Sequence, residues 1–202
     1  MQFNVSNENK APLLPISISS GSQSNLFQFT PLSENHFSQL HSWHLEPTIK
    51  KQYFHNDEFS LEDITAKYLP RIQGKDRVFC FIIQFHDEPI GFIQYYALNN
   101  SLPSGVSGYH NKLFQIAKPE KMCGLDLFIA PANLRGINLG EKILNQFTNE
   151  YLLEKFAWVV VDPSADHASA IQCFEKCGFS KSHFSEAHNH IIMLNKLTKK
   201  DA

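Results

Sequence analysis

The sequence has few cysteines, no excess of charge and no long apolar run, and each lack closes off a class of protein. Only four cysteines occur in 202 residues: Cys80, Cys123, Cys173 and Cys177. None forms a C-x-x-C pair, so neither a disulfide framework nor a thiolate zinc site is expected. They read as buried small apolar side chains, with Cys173 and Cys177 four apart on one helical face. The ten histidines are scattered, and the close pairs His41/His44 and His188/His190 have no matching ligand cluster, so no metal is expected. Lys+Arg number 18 against 20 Asp+Glu, a net charge of −2 with histidine neutral. Such a balance argues against a nucleic-acid binder while leaving room for a local site for one small anion. No run approaches the ~20 apolar residues that span a bilayer. The first 25 residues lack the basic start and apolar core of a secretory signal, so a reducing cytoplasm is the expected compartment.

What is present points to one globular domain. Hydrophobic residues make up 43% and Phe alone numbers 17, so an aromatic-rich core is expected. Residues 1–25, rich in Ser, Asn, Pro and Gly around a short apolar stretch at 13–18, read as a poorly ordered extension. Residues 26–202 form the domain. A first strand is expected at 26–30, then a helix from Ser33 or Glu34 carrying Phe37, Leu40 and Trp43. A second helix spans about 60–68, with Ser60 as N-cap and Asp63 three residues on. The runs 78–85 and 90–97 flank His86-Asp87-Glu88-Pro89 and make a hairpin. Residues 99–120 show no periodicity and read as a long loop. A short strand at 124–129 is followed by a helix with Leu139, Ile143, Phe147 and Tyr151 on one face. A buried strand at 157–161, a helix at 166–177 ended by Gly178 and a strand at 190–197 complete the order. Strands alternate with helices only in the second half, so the sheet should be mixed, with its parallel part there.

The chemistry lies in that second half. Arg135-Gly136-Ile137-Asn138-Leu139-Gly140 joins a strand to a helix. Free amides, the positive end of the helix dipole and small side chains make such a turn an anion cradle, although glycines also occur in ordinary strand–helix turns. It is neither a Walker nor a Rossmann motif. Asp126 interrupts an apolar strand, where a carboxylate must be paired, hydrogen-bonded or protonated. It is either a structural anchor or a base for a substrate amine. Asp162, in Asp162-Pro163-Ser164, is either good turn chemistry or an acidic wall for a polycationic substrate. The acidic pairs Asp57/Glu58 and Glu62/Asp63 read as a solvated surface or as part of an acceptor site, and Tyr53, Phe54 and Tyr96 as core or as rings that stack on a sugar.

Strand, Arg-Gly-x-Asn-x-Gly turn, helix, strand ending in Asp162-Pro163-Ser164, and helix ending in Phe174-Glu175-Lys176-Cys177-Gly178-Phe179 together resemble the GNAT N-acetyltransferases. The family turn Q/R-x-x-G-x-G/A is matched by Arg135, Asn138 and Gly140. Asn stands for the central Gly, a mild change because Asn tolerates positive φ. Tyr68-Leu69-Pro70, Glu88-Pro89-Ile90-Gly91-Phe92-Ile93-Gln94-Tyr95-Tyr96 and Gly124-Leu125-Asp126 narrow the likeness to the aminoglycoside 6'-N-acetyltransferases, with siderophore N-acyltransferases sharing much of the pattern. It covers roughly residues 29–179.

The resemblance implies an α/β GNAT fold: one domain, a central mixed β-sheet flanked by helices. It implies an acetyl-CoA-dependent N-acetyltransferase acting on a primary amine of an aminoglycoside-like small molecule. The alternatives are a siderophore-type acylation of an amine or hydroxylamine, or an acyl-CoA-binding protein without turnover. Acetyl-CoA as co-substrate would be held by Leu127, Phe128, Ile129, Arg135, Gly136, Ile137, Asn138, Leu139, Gly140, His167 and Phe174. Asp126 is the implied base, and Tyr53, Gln94, Tyr96, Asp126 and Asp162 the implied acceptor site. Phe174 departs from the family Tyr proposed to protonate the leaving thiolate, and His167 replaces a family Asn near the pantetheine arm. No nucleic-acid or membrane partner is expected, and the chain is expected as a monomer or homodimer.

Overall fold

The computed structural model describes residues 25–53, 59–187 and 189–198. Nearly all of the expected N-terminal extension, together with Phe54, Asp57, Glu58 and His188, lies outside them. Strand β1 (Phe27–Pro31) leads into a 3-10 turn at Glu34–His36, where the Ser33 N–H donates to His36 Nδ1 at 3.0 Å. Helix α1 (Phe37–His44) buries Phe37, Leu40 and Trp43, the stripe expected from their spacing. A helix α2 (Pro47–Tyr53) follows, which the sequence reading did not expect. Pro47 is its first residue. Proline breaks a helix interior but suits the first turn, where its missing N–H would have no partner.

Helix α3 (Leu61–Ile72) starts on the expected cap. Ser60 Oγ accepts from the Asp63 N–H at 3.1 Å, and Asp63 Oδ2 accepts from the Ser60 N–H at 2.9 Å. The helix outruns its expected end at Tyr68 because Pro70 falls in the last turn, where a proline removes a hydrogen bond without dividing a long helix. Strands β2 (Val78–Phe85) and β3 (Glu88–Ala97) form the hairpin. His86 and Asp87 take φ of 52° and 64°, the two left-handed residues of a tight hairpin turn. Strand β4 (Met122–Ile129) comes next, after a segment carrying short 3-10 turns at Lys112–Gln115 and Pro119–Lys121. That long segment is pinned: Asn111 Nδ2 donates to Phe184 O and to Glu186 Oε1, both at 2.8 Å.

Helix α4 (Leu139–Phe147) continues through a π-type turn at Thr148–Leu152 to β5 (Trp158–Val161). Helix α5 (Ala168–Lys176) is stopped by Gly178 at φ +86°, as expected. A short β6 (Ser180–Lys181), not expected from sequence, pairs with β7 (Met193–Lys196). The sheet order is β1-β2-β3-β4-β5-β7-β6, antiparallel throughout except for the parallel pair β4–β5. The expected mixed sheet and the place of its parallel part are both observed.

Alternation along the strands divides the core in two. Cys80, Ile82, Phe92, Tyr96 and Phe128 pack with α1, α2 and α3 on one face. Phe81, Ile83, Ile93, Tyr95 and Leu125 pack with α4 and α5 on the other. The second face is aromatic-rich: Phe147 meets Phe29 at 4.9 Å, Tyr151 at 4.7 Å and Phe81 at 5.5 Å between ring centroids. Each such pair adds about 0.5–1.5 kcal/mol beyond area burial. Two of the four cysteines depart from the buried positions expected of them. Cys80 and Cys123 are buried, but Cys173 and Cys177 are only half-buried, because α5 turns that face toward α4 and a cleft beside it rather than into the core.

Candidate active site

Strands β4 and β5 begin side by side and then part. Met122, Cys123 and Gly124 pair with Trp158, Val159 and Val160, and no pairing follows. On its other edge β4 stays laddered to β3 as far as Gly91↔Ile129. The wedge between β4 and β5 holds two adjoining clefts.

The first cleft, of about 220 Å³, runs past Leu127, Phe128 and Ile129 to the start of α4. Arg135, Gly136, Asn138, Leu139 and Gly140 line it, with His167, Cys173 and Phe174. Ten of the eleven residues expected at the cofactor therefore meet here. Ile137 does not: its side chain points outward, 49% exposed. Gly136 has φ +77° with nothing within 4 Å of where a Cβ would stand, so its backbone is open to a ligand. Asn138 has φ 62° and ψ 16°, the left-handed conformation that the family's central glycine would take freely. Its Oδ1 accepts from Lys176 Nζ at 3.1 Å, which sets a cation at the cleft that the sequence reading missed. Lys176 sits a helix away in sequence, and only the packing of α5 on α4 brings it close. Arg135 is placed differently from expectation. Its Nε donates to Ile129 O at 2.8 Å, and its Nη2 to Ala130 O and to Glu46 Oε2, the latter at 3.1 Å. The guanidinium clasps the end of β4 and is already matched by Glu46.

The second cleft is lined by Tyr53, Ser104, Asp126, Leu127, Asp162, Ser164, His167, Phe174 and His190. Tyr53, Asp126 and Asp162 thus meet as expected. Gln94 and Tyr96 do not line it, and both placements are corrections. Gln94 stands directly across from Asp126 in the β3–β4 register. Its Nε2 donates to Asp126 Oδ2 at 2.6 Å, and its Oε1 accepts from Arg71 Nη1 at 2.7 Å. Gln94 therefore holds the carboxylate from behind. Tyr96, 7% exposed, fills the space above Gly124, where a Cβ would lie 2.3 Å from its ring. Of the first-half acidic residues, Asp63 is occupied in the α3 cap.

The two carboxylates are electrostatically unusual. Burial pushes Asp126 up from the usual carboxylate range, against the Gln94 hydrogen bond and the charges of Arg71 and Lys67. Burial, then the charge of Asp126, pushes Asp162 up to about 6, while the Ser104 N–H, at 2.7 Å, and His190 pull the other way. His190 Nδ1 also lies 2.8 Å from Asp162 O. Burial and Arg135 hold His167 below its ordinary value, so it is neutral at neutral pH. One cleft thus offers amides and apolar walls, the other a pair of acids. Tyr53, Leu127, His167, Ala170 and Phe174 line both.

Residues 33–186 match the family described as the acetyltransferase (GNAT) domain. The chain belongs to the GNAT acetyltransferase family. It is 26% identical over 153 residues to an aminoglycoside N(6')-acetyltransferase type 1 of Klebsiella pneumoniae, covering 74% of this chain and 72% of that one. The type 1 enzyme of Serratia marcescens matches to the same extent. The GNAT fold is shared with a structure of AAC(6')-Ib in complex with paromomycin and acetyl-CoA: TM-score 0.72, 23% identity, covering 88% of this chain and all of that one. A spermidine N-acetyltransferase from Vibrio cholerae, in complex with CoA and spermine, superposes with TM-score 0.66 at 13% identity, covering 87% and 98%.

As a GNAT acetyltransferase, the protein transfers the acetyl group of acetyl-CoA to an amine. The first cleft fits that co-substrate. The open backbone at Gly136, the amides that begin α4 and the Lys176 ammonium suit its phosphates, and Leu127, Ile129 and Phe174 give an apolar path toward the second cleft.

Proposed function

We propose that this GNAT enzyme acetylates a primary amine of an aminoglycoside-like, polycationic small molecule, with the first cleft holding acetyl-CoA and the second the acceptor. The observation that carries this reading is the pair Asp126 and Asp162, both lining the second cleft, which adjoins the first through Tyr53, Leu127, His167, Ala170 and Phe174. Two acids in one small cleft suit a ligand with more than one amine. Asp126 takes the proton that the attacking amine must lose. Its raised pKa brings it nearer that of its task, and Gln94 fixes one carboxylate oxygen. The backbone of Leu127–Ile129, free of a strand partner on the β5 side, lies where an acetyl carbonyl can accept N–H donors. Acetylation removes a positive charge from the acceptor and weakens its hold on nucleic-acid phosphates, so the protein would confer resistance to an aminoglycoside antibiotic.

The test is release of CoA thiol from acetyl-CoA with a panel of aminoglycosides, linear polyamines and hydroxylated lysine. Turnover fastest with an aminoglycoside supports the reading. A preference for hydroxylated lysine replaces it with siderophore-type acylation, and CoA binding without thiol release on any amine replaces it with a binding protein.

A further inference from the structure

Phe174 stands where the family resemblance implies a Tyr that protonates the departing thiolate, and a phenyl ring has no proton to give. Phe174 is buried against Phe179, 5.4 Å between centroids, and lines the junction of the two clefts. Of the five residues that line both clefts, only Tyr53 and His167 carry a polar hydrogen on the side chain. Tyr53 reaches the junction from α2, on the face of the sheet opposite α5. Its ring is set by Phe128 at 5.5 Å and by the edge of His167 at 6.1 Å. Its hydroxyl makes no hydrogen bond to another described residue.

Resting on the acetyltransferase reading above, we propose that Tyr53 replaces the missing Tyr at position 174 and hands its phenolic proton to the CoA sulfur as the thioester breaks. The amine nitrogen forms the new C–N bond at the acetyl carbon. The C–S bond breaks and leaves its electron pair on sulfur, and the sulfur takes the Tyr53 proton. The amine's surplus proton goes to Asp126 and from there to solvent, from which the Tyr53 phenolate is reprotonated, so amine and thioester become amide and thiol. Burial, and secondly Asp126, hold the Tyr53 hydroxyl above its ordinary value, so the proton is in place at neutral pH but leaves less readily than from a free phenol, and Tyr53 releases it only as negative charge builds on the sulfur. Arg135 and Cys173 also act on this hydroxyl, the first lowering and the second raising its pKa. His167 is kept neutral by burial and by Arg135, so it has no imidazolium proton to give.

Tyr53→Phe removes the oxygen and keeps the ring, so packing and any stacking on the acceptor persist. The variant should keep its melting temperature and its affinity for CoA while kcat falls roughly 10- to 100-fold, a modest share of what a general acid supplies. Tyr53→Phe/Phe174→Tyr should regain most of that loss. A second readout needs no acceptor. The thiol of bound CoA is titrated by thiolate absorbance, with desulfo-CoA complexes as the reference for the protein's own cysteines. A hydroxyl aimed at the sulfur stabilises the thiolate, so Tyr53→Phe should raise the bound thiol's pKa by about one unit. A protein that binds no CoA overturns the acetyltransferase reading and this role with it. Bound CoA whose thiol titrates alike in wild type and Tyr53→Phe overturns the role of Tyr53 alone, as does a loss of kcat found in His167→Phe but absent from Tyr53→Phe.

Discussion

The two edges of β4 behave in opposite ways. Toward β3 the ladder runs unbroken from Cys123 to Ile129, so backbone partners are found within the sheet. Toward β5 it ends at Gly124, and the strand beyond faces clefts, a helix start and two acids. The first edge is packed so tightly that glycines are required: a Cβ at Gly91 would lie 2.2 Å from Phe128 O, and one at Gly124 2.3 Å from the Tyr96 ring. The second edge tolerates open space at Gly136. The closed edge is tightly packed, and the proposed chemistry uses the polar groups that the open edge leaves without a strand.

The sharpest break of this contrast is Gly91→Val. The clash is with a backbone oxygen, which no rotamer change relieves, so a loss of about 3 kcal/mol or more is expected, near or above the upper end for overpacking. Thermal melts should fall by roughly 10 °C. Gly136→Ala, by comparison, meets only the strain of a left-handed backbone, about 1 kcal/mol. Equal melting temperatures for the two variants would erase the distinction between the edges.

On the open edge, Asp126→Asn should cut turnover on the best acceptor by about 10²–10⁴ while CoA affinity holds. Steady-state kinetics and CoA titration separate these effects, and unchanged kinetics across pH would leave Asp126 a purely structural group. Next in size is Gly136→Asp, which sets a carboxylate where the cofactor's phosphates are proposed to lie. CoA should raise the wild-type melting temperature and fail to raise that of the variant. An undiminished shift would move the cofactor elsewhere.

The smallest effect is one of pH. Asp162 titrates at about 6 in the folded protein, above its unfolded value near 3.9, so its favourable contribution is full below the unfolded value and lost as pH rises through 6. Measured against Asp162→Asn, the wild type should lose a few degrees of melting temperature between pH 5 and pH 7.5. At the end of α1 and packed against Tyr68 of α3, His44 runs the other way: burial lowers it to about 4, so its contribution is lost as pH falls from 6.5 toward 4. Parallel pH curves for wild type and Asp162→Asn would mean that the open edge does not strain its acids.

Much of this was legible because the signals are local. Ser60 and Asp63 announce their cap three residues apart, Gly178 its left-handed stop, and Asn138 the backbone that a glycine would otherwise provide. Pro47 misled, since a helix-breaking residue and a helix-starting one are the same residue in different positions. The failures at the site share one cause. Gln94 and Tyr96 are neighbours of the chemistry along β3, but the register of β3 on β4 puts Gln94 behind Asp126 and Tyr96 over Gly124. Arg135 does line the expected cleft, yet Glu46, far away in sequence, claims its charge.

By itself, then, the sequence determined the order of the elements other than α2 and β6, the mixed sheet, the helix-start turn at Arg135–Gly140 and the acids Asp126 and Asp162, because caps, periodicity and glycine conformation act over a few residues. Only the tertiary structure decided which of those groups face a cleft. The parting of β4 from β5, the support of Asp126 by Gln94 and Arg71, and the meeting of Tyr53 with Phe174 across the sheet depend on register and packing between distant segments, where the free energy is set by shape and desolvation rather than by residue type.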